Sequence, residues 1–226
     1  MTDVTETADG AGEGPAVQEP AAGEATSGAP DTPAGTARAV LAELRAVDLA
    51  VYRAVEGTAT PLLDTPLRLV TQAADNSKLW FAIAAALFAF GGRRGRRAAV
   101  TGAVAIGLNS FIVNQPLKRF GRRRRPARAA GEDAFVERHV EMPESTSFPS
   151  GHSASAFAFS QAVSAWIPGA GFPLRALATT VAYSRVHSGV HYPGDVLAGA
   201  LIGMAIGEGT ARGARLLVKG RAARPG

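Results

Sequence analysis

Three short polar clusters interrupt a sequence that is otherwise dominated by apolar stretches. The first runs Lys118-Arg-Phe-Gly-Arg-Arg-Arg-Arg125-Pro126, the second is Pro149-Ser150-Gly151-His152, and the third is Ser184-Arg185, five residues, His191, three residues, Asp195. These residue types suit the hydrolysis of a phosphate ester. That reaction needs cations on the equatorial oxygens, an in-line nucleophile and an acid for the leaving group. Lys118, Arg125 and Arg185 supply the cations, and the planar fork of arginine matches phosphate in a bidentate manner. Lys118 and Arg125 share one side of a helix if that helix persists to Pro126. Ser150 and Gly151 stand just before an apolar helix, where free N–H groups and the helix dipole favour an anion. His191 and Asp195 stack on one face if their turn is helical. A carboxylate accepting from Nδ1 orients an imidazole and leaves Nε2 free to attack. This makes His191 the expected nucleophile, forming a phosphohistidine, and Asp195 its orienter.

In order and spacing the clusters K-x6-RP, PSGH and SR-x5-H-x3-D resemble the type 2 phosphatidic acid phosphatase (PAP2) superfamily. That superfamily includes lipid phosphatases, bacterial acid phosphatases and vanadium haloperoxidases. The resemblance covers about residues 62–218, and all three motifs match without a departure. It implies that His152 protonates the leaving oxygen and later activates water, and that the site faces away from the cytoplasm. The same region resembles the phosphatase half of bacterial proteins that fuse this domain to a lipid kinase; the expectation here is the phosphatase alone. The sequence holds no HExxH, EF-hand loop or aspartate cluster, so the expected hydrolysis uses no metal and no cofactor.

The remaining polar residues are assigned more modest work. His187 precedes His191 by one helical turn but lacks an aspartate at i+4, so it is expected to support the site rather than react. His139 is placed in a loop. Arg119, Arg122, Arg123 and Arg124 read as a solvated basic face that attracts anionic substrate or headgroups. Asn109, Asn114 and Gln115 read as helix–helix hydrogen-bonding groups, with lining the site as the alternative, and Glu132 and Asp133 as loop solvation.

The elements that must position these groups follow from hydropathy. Apolar segments at 79–91, 98–117, 153–167, 174–184 and 196–218 are rich in Ala, Leu and Phe, which favours helices over strands. Residues 38–56 and a shorter stretch from Pro61 to about Ala74 are amphipathic at helical spacing. Gly199, Gly203 and Gly207 form a small-residue ridge that lets helices approach closely in lipid. The expected fold is an all-α, multi-pass transmembrane bundle of about five spanning helices plus N-terminal amphipathic helices. Its divisions are a disordered acidic tail at 1–37, amphipathic helices at 38–76, the phosphatase membrane domain at 77–218 and a basic tail at 219–226. A buried helical core in a soluble member of the superfamily, an acid phosphatase or haloperoxidase-like enzyme, is the alternative.

Charge sharpens the picture. The chain has 226 residues, 46% hydrophobic and 19% charged, and a formal net charge of +5. Residues 1–37 carry seven acids and no Lys or Arg, so the remaining 24 bases face 19 − 7 = 12 acids and the body is near +12. The leading segment is too poor in large apolar residues to fold, and it lacks the basic start and apolar stretch of a secretory signal. The absence of cysteine excludes a disulfide scaffold, a thiolate nucleophile and cysteine-ligated metals. A nucleic-acid partner would explain the arginines but none of the histidine spacing, so none is expected. The expected partners are a membrane and a lipid phosphate: phosphatidic acid, phosphatidylglycerol phosphate or a polyprenyl (di)phosphate. The oligomeric state is left open. Basic GGRRGRR and the basic C-terminus argue for a cytoplasmic side opposite the motifs, whereas the arginines after Lys118 pull the other way.

Overall fold

The computed structural model describes residues 33–113, 123–128 and 135–222. The expected acidic tail falls almost wholly outside them, as do Lys118 and the last four residues of the basic tail. The chain divides into two units, Met1–Leu41 and Ala42–Gly226. The described residues form seven α-helices and no strand, so the all-α expectation holds. They are α1 (Pro33–Glu56), α2 (Pro61–Ala73), α3 (Lys78–Phe90), α4 (Gly92–Ile112), α5 (Gly151–Ser164), α6 (Gly171–His187) and α7 (Pro193–Ala222).

Helices α3 to α7 fall on the five apolar segments, with one informative difference. α4 begins at Gly92 and takes in the basic run that was expected to link segments. Long arginine stems make this favourable, because they pack along aromatic faces while their heads stay wet. Arg96 lies 5.9 Å from the Phe88 ring centroid and Arg97 lies 5.6 Å from that of Trp166. Gly92 takes φ +59° at the sharp turn between α3 and α4, a conformation that L side chains rarely adopt.

α5 is the central helix, packed against α4, α6 and α7. Its Ala154, Ala156, Ala158, Phe159, Ala162 and Val163 are fully buried, which explains why its side chains are small on nearly every face. Phe159 meets Trp80 of α3 with ring centroids 5.5 Å apart. The glycine ridge of α7 lies directly on this helix. A Cβ at Gly199, Gly203 or Gly207 would fall on the carbonyl oxygens of Ser150, Ala154 and Ala158 respectively. Close approach of these two helices brings the first turn of α7, with Asp195, beside the start of α5, with His152.

No helix among the described residues is long and apolar enough to cross a membrane. α3 has 13 residues and α5 has 14, against about 20 for a full crossing. The ridge supplies a test that does not depend on the surroundings. Gly203→Ala should destabilise the fold by about 1–3 kcal/mol through overpacking on Ala154. Gly209→Ala, on the same helix with open space at its Cβ, should be neutral or stabilising by up to about 1 kcal/mol. Thermal unfolding of the two variants checks this, and equal midpoints would contradict the packing.

Candidate active site

Between α3, α4 and α5 lies a cavity of about 410 Å³ whose polar wall includes Arg125, Gly151, His152, Arg185 and His191. Phe81 and Ile106 contribute to its apolar wall. Thus at least one described member of each of the three sequence clusters lines one cavity, and Lys118 lies outside the described residues.

Local structure explains each placement. The expected helix from Lys118 to Arg125 does not reach Pro126, since residues 123–128 have no regular secondary structure. Arg125 is held instead by carbonyls. Its Nε donates to the Ser145 oxygen (2.8 Å), Nη1 to the Val190 oxygen (2.8 Å) and Nη2 to Ser145 Oγ (3.1 Å). Nη1 also stands 3.3 Å from His191 Nε2. A guanidinium can only donate, so Nε2 accepts and the ring proton of neutral His191 sits on Nδ1.

His191 is 2% exposed. Burial pushes its imidazole down to about 4, with Arg185 and Arg125 acting in the same sense and Asp195 opposing. The ring is therefore neutral at pH 7. Its Nδ1 lies 3.7 Å from Asp195 Oδ2, longer than a hydrogen bond, and makes no other hydrogen bond. His191 precedes the first turn of α7, so a loop rather than helical register pairs it with Asp195. Asp195 caps that turn, accepting the Tyr192 N–H at 2.9 Å. It is fully buried. Burial raises its carboxyl, but the adjacent His191 ring, hydrogen bonds from Ser147 and the Tyr192 N–H, and Arg123 outweigh this and hold it below the usual carboxylate range. Asp195 is accordingly ionised.

Ser150 caps α5 and is fully buried, its Oγ accepting from Ser153 Oγ at 3.1 Å. Its own N–H, expected to face an anion, is taken by the Asp195 carbonyl at 3.0 Å. Gly151 and His152 remain on the cavity wall. His152 Nε2 donates to Asp75 Oδ1 at 2.8 Å. That hydrogen bond keeps Asp75 below its ordinary value, against the opposing effect of its partial burial. Arg185 is 2% exposed, donates from Nη1 to Thr71 Oγ1 at 2.6 Å, and lies 3.9 Å from Asp75 Oδ1. Its Nε is buried without a hydrogen-bond partner.

Several residues of this site carry no motif. Asp75, Thr71 and Ser147 lie outside all three clusters, and no local pattern marks them. Arg123 was assigned to a solvated face, yet its Nη1 reaches Asp195 Oδ1 at 3.0 Å; Arg124 is exposed as expected. His187 turns away from the cavity. Its Nε2 lies 2.9 Å from Thr60 Oγ1 and 3.1 Å from Asp64 Oδ1, in a buried group with Arg138. Asn109 hydrogen-bonds Ser155 between helices at 2.9 Å, as expected, and also borders the cavity. Asn114, Gln115, Arg119, Arg122, Glu132 and Asp133 lie outside the described residues. Among the described residues, no group of three His, Cys, Asp or Glu side chains that could hold a metal ion comes together.

Residues 97–215 match the PAP2 superfamily. The chain belongs to it. A stretch of 118 residues is 36% identical to decaprenylphosphoryl-5-phosphoribose phosphatase of Mycobacterium tuberculosis, covering 51% of this chain and 60% of that protein, less than two thirds of its length. Among solved structures, Aquifex aeolicus LpxE superposes with a TM-score of 0.60 at 27% identity, covering 74% of this chain and 95% of that one. A transmembrane PAP2-type phosphatidylglycerolphosphate phosphatase from Bacillus subtilis superposes with a TM-score of 0.59 at 22% identity, covering 78% and 88%, and shares the fold. The PAP2 match spans Arg123, Arg125, Ser147, Ser150, Gly151, His152, Arg185, His191 and Asp195, whereas Thr71, Asp75 and Phe81 lie before it.

The buried neutral His191 can be measured directly. Its imidazole should titrate near pH 4, well below an ordinary histidine, when followed by NMR on histidine-labelled protein with His191→Gln for assignment. A midpoint near 6.5 would show that the ring is not desolvated as described.

Proposed function

We propose that this protein hydrolyses a lipid phosphate through a phosphohistidine, without a metal or other cofactor. The observation that carries the reading is the buried neutral His191, whose unprotonated Nε2 lies 3.3 Å from the Arg125 guanidinium in a cavity shared with Arg185 and His152. Arg125, Arg185 and Lys118 hold the equatorial oxygens, with backbone N–H groups at Gly151 assisting. His191 Nε2 attacks phosphorus in line as the bond to the leaving oxygen breaks. His152 delivers a proton to that oxygen, so the lipid departs as an alcohol. The phosphorylated ring is cationic, and ionised Asp195 stabilises it as the 3.7 Å approach to Nδ1 tightens. Water, deprotonated by His152, then attacks phosphorus and releases inorganic phosphate and free His191.

The surface supports a membrane setting for the bundle built on segments 79–91, 98–117, 153–167, 174–184 and 196–218, with the polar site at one end of it. Val100, Val104, Leu108 and Phe111 form an exposed stripe along α4, Leu197 and Leu201 one along α7, and Phe90 is 89% exposed. Water tolerates such continuous apolar surface poorly, whereas lipid covers it without cost. Arg93, Arg94, Arg96 and Arg97 lie at the end of α4 remote from the site, which favours a cytoplasmic side there and an extracytoplasmic site. A substrate tail then stays in the bilayer while its phosphate enters the cavity. The mycobacterial relative's name points to a polyprenyl-linked phosphate as the first substrate to try, beside phosphatidic acid and phosphatidylglycerol phosphate.

Purified protein in detergent, given these lipids in parallel, should release inorganic phosphate in the presence of a chelator. His191→Gln and His152→Gln should each lower kcat by about 10²–10⁴, and Asp195→Asn should lower it similarly. Radiolabelled substrate quenched in alkali should leave acid-labile label on wild type and none on His191→Gln. Full activity in the His191 variant would overturn the mechanism.

A further inference from the structure

Asp195 has two oxygens and unequal company. Oδ2 accepts from Ser147 Oγ and the Tyr192 N–H and faces His191. Oδ1 has Arg123 at 3.0 Å. The same guanidinium reaches across to α1, where Nη2 meets Asp48 Oδ2 at 2.5 Å. Asp48 in turn accepts the Gly194 N–H on its other oxygen, at 2.6 Å. The Arg123 guanidinium carbon also stands over the Tyr192 ring, 3.8 Å from its centroid, and Tyr52, one turn beyond Asp48 on α1, meets that ring edge-on at 5.4 Å. Thus α1, which lies outside the matched residues 97–215, grips the turn at 192–195 through two side chains. We infer that Arg123, held by Asp48, is a positioning residue for the reaction: it fixes the Asp195 carboxylate and offsets its charge.

The inference rests on the function proposed above, and the physics is that of a buried ion. A carboxylate without solvent is strongly disfavoured unless cations and donors surround it. Of the charged groups facing the His191–Asp195 pair, Arg125 comes from the 123–128 segment and Arg185 from α6, and both act first on the imidazole. Arg123, from the same segment, is the cation on the carboxylate itself, and Asp48 of α1 faces Arg123 rather than Asp195. Removing the Arg123 charge therefore has two effects of one sign. Asp195 takes up a proton at higher pH, and while it is ionised its uncompensated charge makes His191 easier to protonate. Both carry the working pair out of its active protonation state as pH falls. Lysine at 123 keeps the charge but not the fork that spans two carboxylates. Asn at 48 keeps an acceptor for Gly194 N–H and removes only the charge that anchors Arg123.

The test uses full-length protein in detergent, with Arg123→Gln, Arg123→Lys, Asp48→Asn and the double variant Arg123→Gln/Asp48→Asn. NMR should show the His191 titration moved to higher pH in Arg123→Gln and returned toward wild type in Arg123→Lys. With a hydrolysable lipid phosphate, the acid limb of kcat/KM should move the same way. The loss should reach about tenfold on that limb and exceed the loss on the plateau. Asp48→Asn should cost about threefold alone and nothing further in the Arg123→Gln background, because it acts through Arg123. Where Arg123→Gln does not fold, Arg123→Lys against Asp48→Asn carries the same comparison. An unmoved His191 titration, or additive losses in the double variant, overturns the clamp and leaves a merely structural contact. A moved titration in a protein that releases phosphate from no lipid keeps the clamp and overturns the proposed function instead.

Discussion

A carboxylate with no access to water makes demands on everything around it, and Asp195 is such a group. It stays ionised only because donors and a cation meet both of its oxygens, and those partners come from separate parts of the chain. Ser147 approaches from the segment before α5, Tyr192 from the turn before α7, and Arg123 from the segment after α4. The Asp195 carbonyl accepts the Ser150 N–H, which ties the start of α7 to the start of α5. Satisfying one buried charge therefore ties the starts of two helices and the 123–128 segment to one point. The cavity with His191 and His152 on its wall is a consequence of that convergence.

The helix packing exists to make the convergence possible. α7 can deliver Asp195 to the α5 cap only if its backbone lies against that of α5, and the three glycines at four-residue spacing remove the side chains that would hold it off. α5 answers with Ala and Ser at most of the facing positions, at the cost of large side chains in the centre of the core. Trp80 and Phe159 fill the space that remains between α3 and α5. Tight packing between two helices and looser, aromatic filling elsewhere follow from where the site needs accuracy.

What the sequence made legible was the chemistry that depends on residue type and order. Phosphate cations, a histidine with a downstream aspartate and a helix-opening serine could be named from spacing, and the apolar segments placed the helices within a few residues. The glycine ridge was legible too, since nothing but close approach accounts for its period. Geometry set by loops was not. Arg125 and His191 are positioned by carbonyls and a turn, where helical register has no hold. Arg123 and Arg124 are indistinguishable in sequence, yet one grips Asp195 and the other faces solvent. Spacing separates His191 from His187 only by the aspartate at i+4, and it does not say where His187 goes. They part because Thr60 and Asp64 of the N-terminal region claim the first, whereas Arg125 and Asp195 flank the second.

The N-terminal region carries a pattern that explains why so much of the site was invisible. Asp48 meets Arg123, Asp64 meets Arg138 and His187, and Asp75 meets His152 and Arg185. Each acid lies between residues 48 and 75, and each partner lies beyond residue 122. The matched region gathers bases in two places, Arg125 and Arg185 on the cavity wall and Arg138 beside His187 away from it, and like charges packed that closely repel one another and resist burial. Acids brought in from a different part of the chain relieve that repulsion, and they can do so from positions on α1, on α2 and just before α3 without entering the cavity themselves. Their spacing answers to tertiary distance alone, so no local pattern advertises them. The matched residues 97–215 hold the bases, and the acids that let those bases pack together sit before them, so the charge balance of the fold is completed by a part of the chain that the family signature does not reach.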